Sequence, residues 1–127
     1  MKLIDSNLLS ENAIDHPYED NPGFIAKINT FFYSEDKKAV TGYWEAPVGW
    51  FNAEITEQSE LNYIIEGDIE LFDIVTGEKR IAARKGDIFL VEAGDKLKWV
   101  IKKPIKTIFF IYPCPEELVD FFKNLES

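Results

Sequence analysis

Apolar and polar positions alternate along this chain in short bursts, and turn residues separate the bursts at intervals of about eight to twelve positions. From Lys38 onward the bursts read AVTGYWEA, WFNAEIT, LNYIIE, IELFDIV, KRIAAR, IFLVEA, KLKWVIKK and KTIFFIY. A period of two sends successive side chains to opposite faces, so each burst is a strand with one inward face. Gly67-Asp68, Gly86-Asp87 and Gly94-Asp95 read as tight turns, Thr76-Gly77 as a hairpin corner, and Pro104 as the end of one strand before the last begins. The three aspartates are then accounted for by turn stabilisation. Many short strands at even spacing predict an all-β sandwich or barrel.

The two ends differ from this middle. Residues 1–30 are polar and turn-rich up to Gly23 and then carry the apolar run FIAKINTFF, which predicts an arm able to add an edge strand to a neighbouring sheet. Residues 31–114 form the barrel. Over 115–127, Pro115 at a first helical position, acidic residues in the first turn and Leu118, Val119, Phe122 and Leu125 at helical spacing predict a short helix docked on it. All three parts make one domain.

Composition narrows the function classes. The 127 residues are 46% hydrophobic with ten Phe, enough for one buried core, and a net charge of −9 repels phosphate backbones and anionic lipid, so neither nucleic acid nor membrane is an expected partner. Acidic residues are scattered, as on an ordinary solvated surface. Asp5, Glu11 and Asp15 interrupt any apolar leader, and Cys114 has no second cysteine to pair with, which together predict a cytoplasmic location.

Two segments carry the most specific signal. ELNYIIEG at 60–67 and GDIFLVEAGDKLKW at 86–99 resemble the two motifs of the cupin superfamily, with Glu60, Gly67, Gly86 and Gly94 at matching spacing. GYWEAPVGWF at 42–51, the GDIF turn and Trp99 sharpen the likeness to small cupins of the ureidoglycine aminohydrolase-like and ethanolamine-utilisation kind. The resemblance covers about residues 38–112. It implies an all-β cupin (RmlC-like) jelly-roll barrel, closed here by the short carboxy-terminal helix, and it implies homodimers. Cupin motifs generally hold metal through histidines, but here the first-motif positions fall on Glu54 and Thr56 or on Ala53 and Ile55, and the second-motif position on Leu97. Imidazole is missing from each. His16, the one histidine, lies in the arm and reads as solvated. A transition metal wants several imidazole or thiolate donors, so neither metal nor cofactor is expected.

What remains is a carboxylate set. If alternation holds through the region, Glu54, Thr56, Glu60 and Asn62 share one face, with Trp99 beside them on a neighbouring strand. Desolvation among aromatic walls raises a carboxyl pKa toward a useful value, making Glu60 the candidate acid or base and the other four candidate ligand contacts. Alternation equally allows Ala53 and Ile55 to face the core while Glu54 and Thr56 face solvent. Glu60 can also be a turn or strand-end residue, and Trp44, Trp50, Tyr63 and Trp99 core or interface aromatics. Cys114, at the helix start without a histidine beside it, reads as a cap or packing residue. The expected function is binding of a small polar metabolite in the barrel without a transition metal. Two alternatives stand beside it: a metal-independent isomerase, lyase or hydrolase using Glu60, and a weakly held hard cation between Glu54 and Glu60.

Overall fold

A computed structural model gives the fold, and it describes all residues except 2, 6–8, 35, 37, 56, 117, 119, 121 and 123–127. Eight antiparallel strands make one continuous sheet: β1 (Ile14–Pro17), β2 (Ile25–Tyr33), β3 (Val40–Ala46), β4 (Gly49–Glu54), β5 (Ser59–Asp73), β6 (Lys79–Arg84), β7 (Ile88–Val91) and β8 (Lys96–Tyr112). Two of them are long enough to belong to both layers of the barrel. The first half of β5 and the second half of β8 sit in a layer ordered β1-β2-β3-β8-β5-β7, while their other halves sit in a layer ordered β4-β8-β5-β6.

The corner between the layers falls where the sequence reads as strand ends. Pairing of β5 with β8 shifts register between Ile64 and Glu66, between Glu66 and Asp68 and between Asp68 and Ile69, which bends both strands without separating them. Gly67 has φ of 106°, and a Cβ there would lie 2.5 Å from the Pro104 carbonyl oxygen and 2.7 Å from Ile105 Cα. Pro104 sits inside β8 at the same corner, where a missing ladder donor is tolerated. The expected turn at Gly67-Asp68 and break at Pro104 are therefore one shared bend. Asp68 accordingly pairs with Lys103 at 3.5 Å and does not cap a turn. Asp87 and Asp95 do cap turns, accepting the Arg84 and Glu92 amides at 2.9 and 2.8 Å.

Alternation sends one residue in two into the space between the layers. Phe51, Trp99, Leu71 and Ile81 line up across β4, β8, β5 and β6, and Ile28, Trp44, Thr107 and Ile64 do so across β2, β3, β8 and β5. Nearly all of these are buried or packed against the core. In the arm, β1 and β2 hydrogen-bond to each other and β2 to β3, so residues 14–33 extend the chain's own sheet. The expected helix over 115–127 falls largely outside the described residues. Of those described, Phe122 is buried and its ring stacks on Phe109 at 5.8 Å, and Leu118 packs against the core. No helix of the described residues is long and apolar enough to cross a membrane.

Gly67→Ala should cost about 2 kcal/mol or more, because it combines a positive φ with a backbone clash. Gly77→Ala, with a φ of 76° but open space around it, should cost only about 1 kcal/mol. Urea denaturation of both variants measures the difference, and equal losses would contradict the role given to the corner.

Candidate functional site

A cavity of about 240 Å³ opens between the layers at the end of the barrel away from the β5–β6 hairpin. That exceeds the roughly 150 Å³ known to take up a benzene-sized guest. Aromatic and aliphatic side chains make most of its wall, Trp44, Phe51, Trp99 and Phe109 among them, and its polar groups are Glu60, Asn62, Gln58, His16, Tyr18 and Glu54.

The inward residues of β5 place the carboxyl group. Glu60 lies between Val91 of β7 and Ile111 of β8, so its neighbours on the sheet offer no polar partner. Burial raises its pKa above the usual carboxylate range, and a hydrogen bond from the Gln58 amide only partly opposes this. Its charge is felt by two other groups. Tyr18, whose hydroxyl accepts the Trp44 indole N–H at 3.2 Å, is pushed above the ordinary phenol value by burial and by Glu60. Cys114 is raised to about 11 by the same two causes, which leaves it a protonated, half-buried packing residue.

Two residues further along β5, Asn62 stands between Phe89 and Phe109. Its Oδ1 accepts the Thr107 hydroxyl at 3.3 Å, but its Nδ2, between the rings of Phe89 and Phe109, has no protein acceptor among the described residues. Trp99 meets the same situation on β8: its ring stacks on Phe51 at 5.2 Å and meets Phe89 and Trp44 edge-on, and its buried Nε1–H is unpaired among the described residues. Gly42 keeps this wall in place, since a Cβ there would lie 2.7 Å from the Phe109 ring. Two buried donors at one cavity wall are a debt that most buried polar groups do not carry.

The expected five-residue face forms in part. Glu60, Asn62 and Trp99 come together in the wall, Glu54 reaches the cavity only from an exposed position at its rim, and Thr56 lies outside the described residues. Parity explains the division. On β4 the inward positions are Phe51 and Ala53, with Ile55 buried just beyond, and the segment to Gln58 that leads into β5 reverses which parity faces inward. A hard cation bridging Glu54 and Glu60 would thus span rim and interior. His16 corrects a further expectation. Pairing of β1 with β2 sets it opposite Ala26 and over the cavity, half-buried with its ring edge-on to Tyr18 at 4.8 Å, and burial lowers its pKa. The signal was available in the sequence as an aromatic pair two residues apart, His16 in β1 and Tyr18 just beyond its end.

These positions also answer whether a metal centre fits. Ala53 and Leu97 are direct partners on β4 and β8, so two positions where cupin motifs place histidine meet as an apolar pair, with Ile55 next to them. Among the described residues no group of three or more His, Cys, Asp and Glu is placed to hold an ion. The donor set does not fit a three-imidazole centre.

The same order of strands and motifs places the chain among known proteins. The family model for the EutQ-like cupin domain matches residues 33–109. The chain belongs to the EutQ-like cupin family. Among solved structures, the EutQ protein of Clostridium difficile is 21% identical, with a TM-score of 0.65 over 75% of this chain and 67% of that one. A putative ethanolamine utilization protein Q from Salmonella typhimurium is 14% identical with a TM-score of 0.72, covering 91% of this chain and 88% of the other. A predicted oxalate decarboxylase from Thermotoga maritima, 15% identical, gives 0.68 over 89% of this chain and all of that one, 100%. No curated protein matches. At these identities the likeness establishes the cupin fold.

A carboxyl group whose pKa is raised on folding takes up a proton between its unfolded and folded values, so stability falls as pH rises through that window. The window opens at the usual carboxylate range and extends upward, following the direction of the Glu60 shift. Glu60→Gln, which stays neutral throughout, should therefore gain stability relative to the wild type on going from about pH 4 to about pH 8. Urea titrations at the two pH values measure it, and a constant difference would show that Glu60 ionises as an exposed carboxylate does.

Proposed function

We propose that this cupin binds a small, neutral, polar metabolite in its barrel without a transition metal. The observation that carries the reading is the pair of buried donors unpaired among the described residues, Asn62 Nδ2–H and Trp99 Nε1–H, in the wall of a cavity that is also lined by the half-buried Glu60. Donors of this kind call for an acceptor oxygen on the ligand, a hydroxyl or carbonyl. Glu60, protonated more readily than a free carboxylate, supports a ligand oxygen as donor or a ligand hydroxyl as acceptor. A carboxylate ligand is disfavoured, because no Lys or Arg among the described residues lines the wall and the chain carries a net charge of −9. The expected helix over 115–127 would close the cavity on the side of Leu118 and Phe122. Cys114, half-buried and unpaired, supports a cytoplasmic setting.

The raised pKa of Glu60 favours one second reading, a metal-independent isomerase, lyase or hydrolase in which this residue transfers a proton to or from the bound metabolite. Tyr18 and His16 would then orient the substrate from the β1 side. Fold likeness adds nothing to the choice of reaction, since the same barrel hosts unrelated chemistries.

Thermal-shift screening against neutral polyols, lactones and amides, set beside their carboxylate and amine counterparts, tests both readings. Stabilisation confined to the neutral compounds supports the first, and product formation from a hit that is lost in Glu60→Gln at unchanged melting temperature supports the second. Trp99→Phe keeps the ring and deletes the donor, so it should weaken a hit by about 3- to 10-fold in Kd by calorimetry while leaving the free protein as stable or more so. Full affinity in Trp99→Phe, or tight stoichiometric metal in the purified protein, overturns the proposal.

A further inference from the structure

The cavity restricts the size and outline of its occupant more narrowly than neutrality alone does. Its volume of about 240 Å³, set against the roughly 150 Å³ that takes up benzene, has room for about ten non-hydrogen atoms. Rings from both layers line it: Phe51 and Trp99 from β4 and β8 on one side, and Trp44 and Phe109 from β3 and β8 on the other, with Phe122 seated on Phe109. Such a wall accepts the faces of an apolar ring. It resists hydroxyl groups pointing at it, since a buried hydroxyl without a partner is costly.

Tyr18 supplies a third donor beside Asn62 and Trp99. Its ring stacks on Phe51 at 4.1 Å and its oxygen accepts the Trp44 indole N–H at 3.2 Å, so ring and hydroxyl are both held in place by the protein. Among the described residues the hydroxyl makes no second hydrogen bond, which leaves its own proton free to donate into the cavity that Tyr18 lines. Accepting the indole N–H polarises the O–H and makes it a better donor. Burial and Glu60 hold the phenol above its ordinary pKa, so that proton stays in place at neutral pH. Phe89 joins the other two donors: it pairs with Asn62 between β7 and β5, and its ring meets Trp99 edge-on at 5.5 Å. The Trp44 ring that anchors Tyr18 meets Trp99 at 6.0 Å. All three donors thus belong to one aromatic cluster.

We propose, on the basis of the neutral-ligand reading above, that this cavity selects a single planar six-membered ring carrying two or more hydroxyl or carbonyl oxygens, and that Tyr18 shares the recognition of those oxygens with Asn62 and Trp99. A planar ring keeps every oxygen in its own plane and leaves two apolar faces for the aromatic walls. A sugar or cyclic polyol of the same size carries a hydroxyl on nearly every carbon, more than the few polar groups of the wall satisfy, and the remainder would meet Phe51, Trp44 or Phe109. Glu60 accepts from a ring hydroxyl or donates to a ring carbonyl, so the oxygens need not be of one kind. No Lys or Arg among the described residues lines the wall, and the oxygens therefore bind in their neutral form.

Calorimetry with probes of similar size tests shape and donors separately. Resorcinol and hydroxybenzaldehyde should bind about 10-fold or more tighter than cyclohexanediol and inositol, and affinity should climb from toluene to phenol to resorcinol as oxygens are added. Tyr18→Phe keeps the stacked ring and deletes the hydroxyl. It should weaken resorcinol by about 3- to 10-fold and leave toluene unchanged, a split that a merely structural loss does not produce. The variant also strips the Trp44 N–H of its acceptor, so if it fails to fold, the comparison of planar with puckered probes in wild-type protein decides. Puckered probes binding as tightly as planar ones, or full resorcinol affinity in a folded Tyr18→Phe, overturns the proposal while leaving a neutral-ligand barrel intact. No gain from toluene to resorcinol, or binding confined to carboxylates or amines, ends the neutral-ligand reading and this proposal together.

Discussion

Two long strands running side by side through both layers hold this molecule together. The β5–β8 ladder extends from Ser59–Tyr112 at one end to Asp73–Leu97 at the other, and every other strand except β1 and β2 reaches the barrel by pairing with one of the two. Bending that ladder once, at Gly67 and Pro104, brings its two halves face to face and creates an interior. The inner positions of both halves then become wall: Glu60 and Asn62 from one half of β5, Leu97 and Trp99 from one half of β8. Any change that straightened the corner would remove the fold's closure and its cavity together, because neither layer encloses a space alone.

Within that interior, desolvation is the dominant electrostatic fact. Burying an ionised carboxylate costs several kcal/mol even after relaxation. Glu60 has one opposing hydrogen bond, from the Gln58 amide, so burial outweighs it and the direction of its shift is upward. The same physics acts on His16, where disfavouring charge lowers the pKa, and on Tyr18 and Cys114, where it raises it. In all four groups burial therefore shifts the balance toward the neutral form.

Much of the fold was legible because its strands have one wet and one dry side, and a period of two records that directly in side-chain polarity. The motif glycines carried the family for a related reason: Gly67 is required by a positive φ and a carbonyl 2.5 Å from its absent Cβ, which no other residue satisfies. What the local pattern did not distinguish was a turn from a bulge. Gly-Asp at 67–68 and Gly-Asp at 86–87 look alike, yet the first bends a continuing strand and the second ends one, and only the pairing of distant β8 decides between them. The candidate site suffered from the same locality. Alternation counted through residues 55–58 assigns Glu54 and Glu60 to one face, while the turn there reverses parity and sends Glu54 to the rim. His16 looked solvated because no second histidine or cysteine stands near it in sequence; the pairing of β1 with β2 that carries it over the cavity is reached only through the fold.

The loss of imidazole and the gain of unpaired donors belong to one argument. A barrel that held metal at Ala53, Ile55 and Leu97 would need polar side chains there, and those would hydrate the interior and offer acceptors to Asn62 and Trp99. With apolar residues at all three, burial shifts Glu60 toward its neutral form, and both N–H groups are left without protein partners among the described residues. Leaving a buried donor unmade costs about 1–3 kcal/mol, so two of them are a standing penalty in the free protein. In the proposed reading, a ligand oxygen placed against them would remove that penalty on binding, and affinity would arise from a cost already present in the free protein.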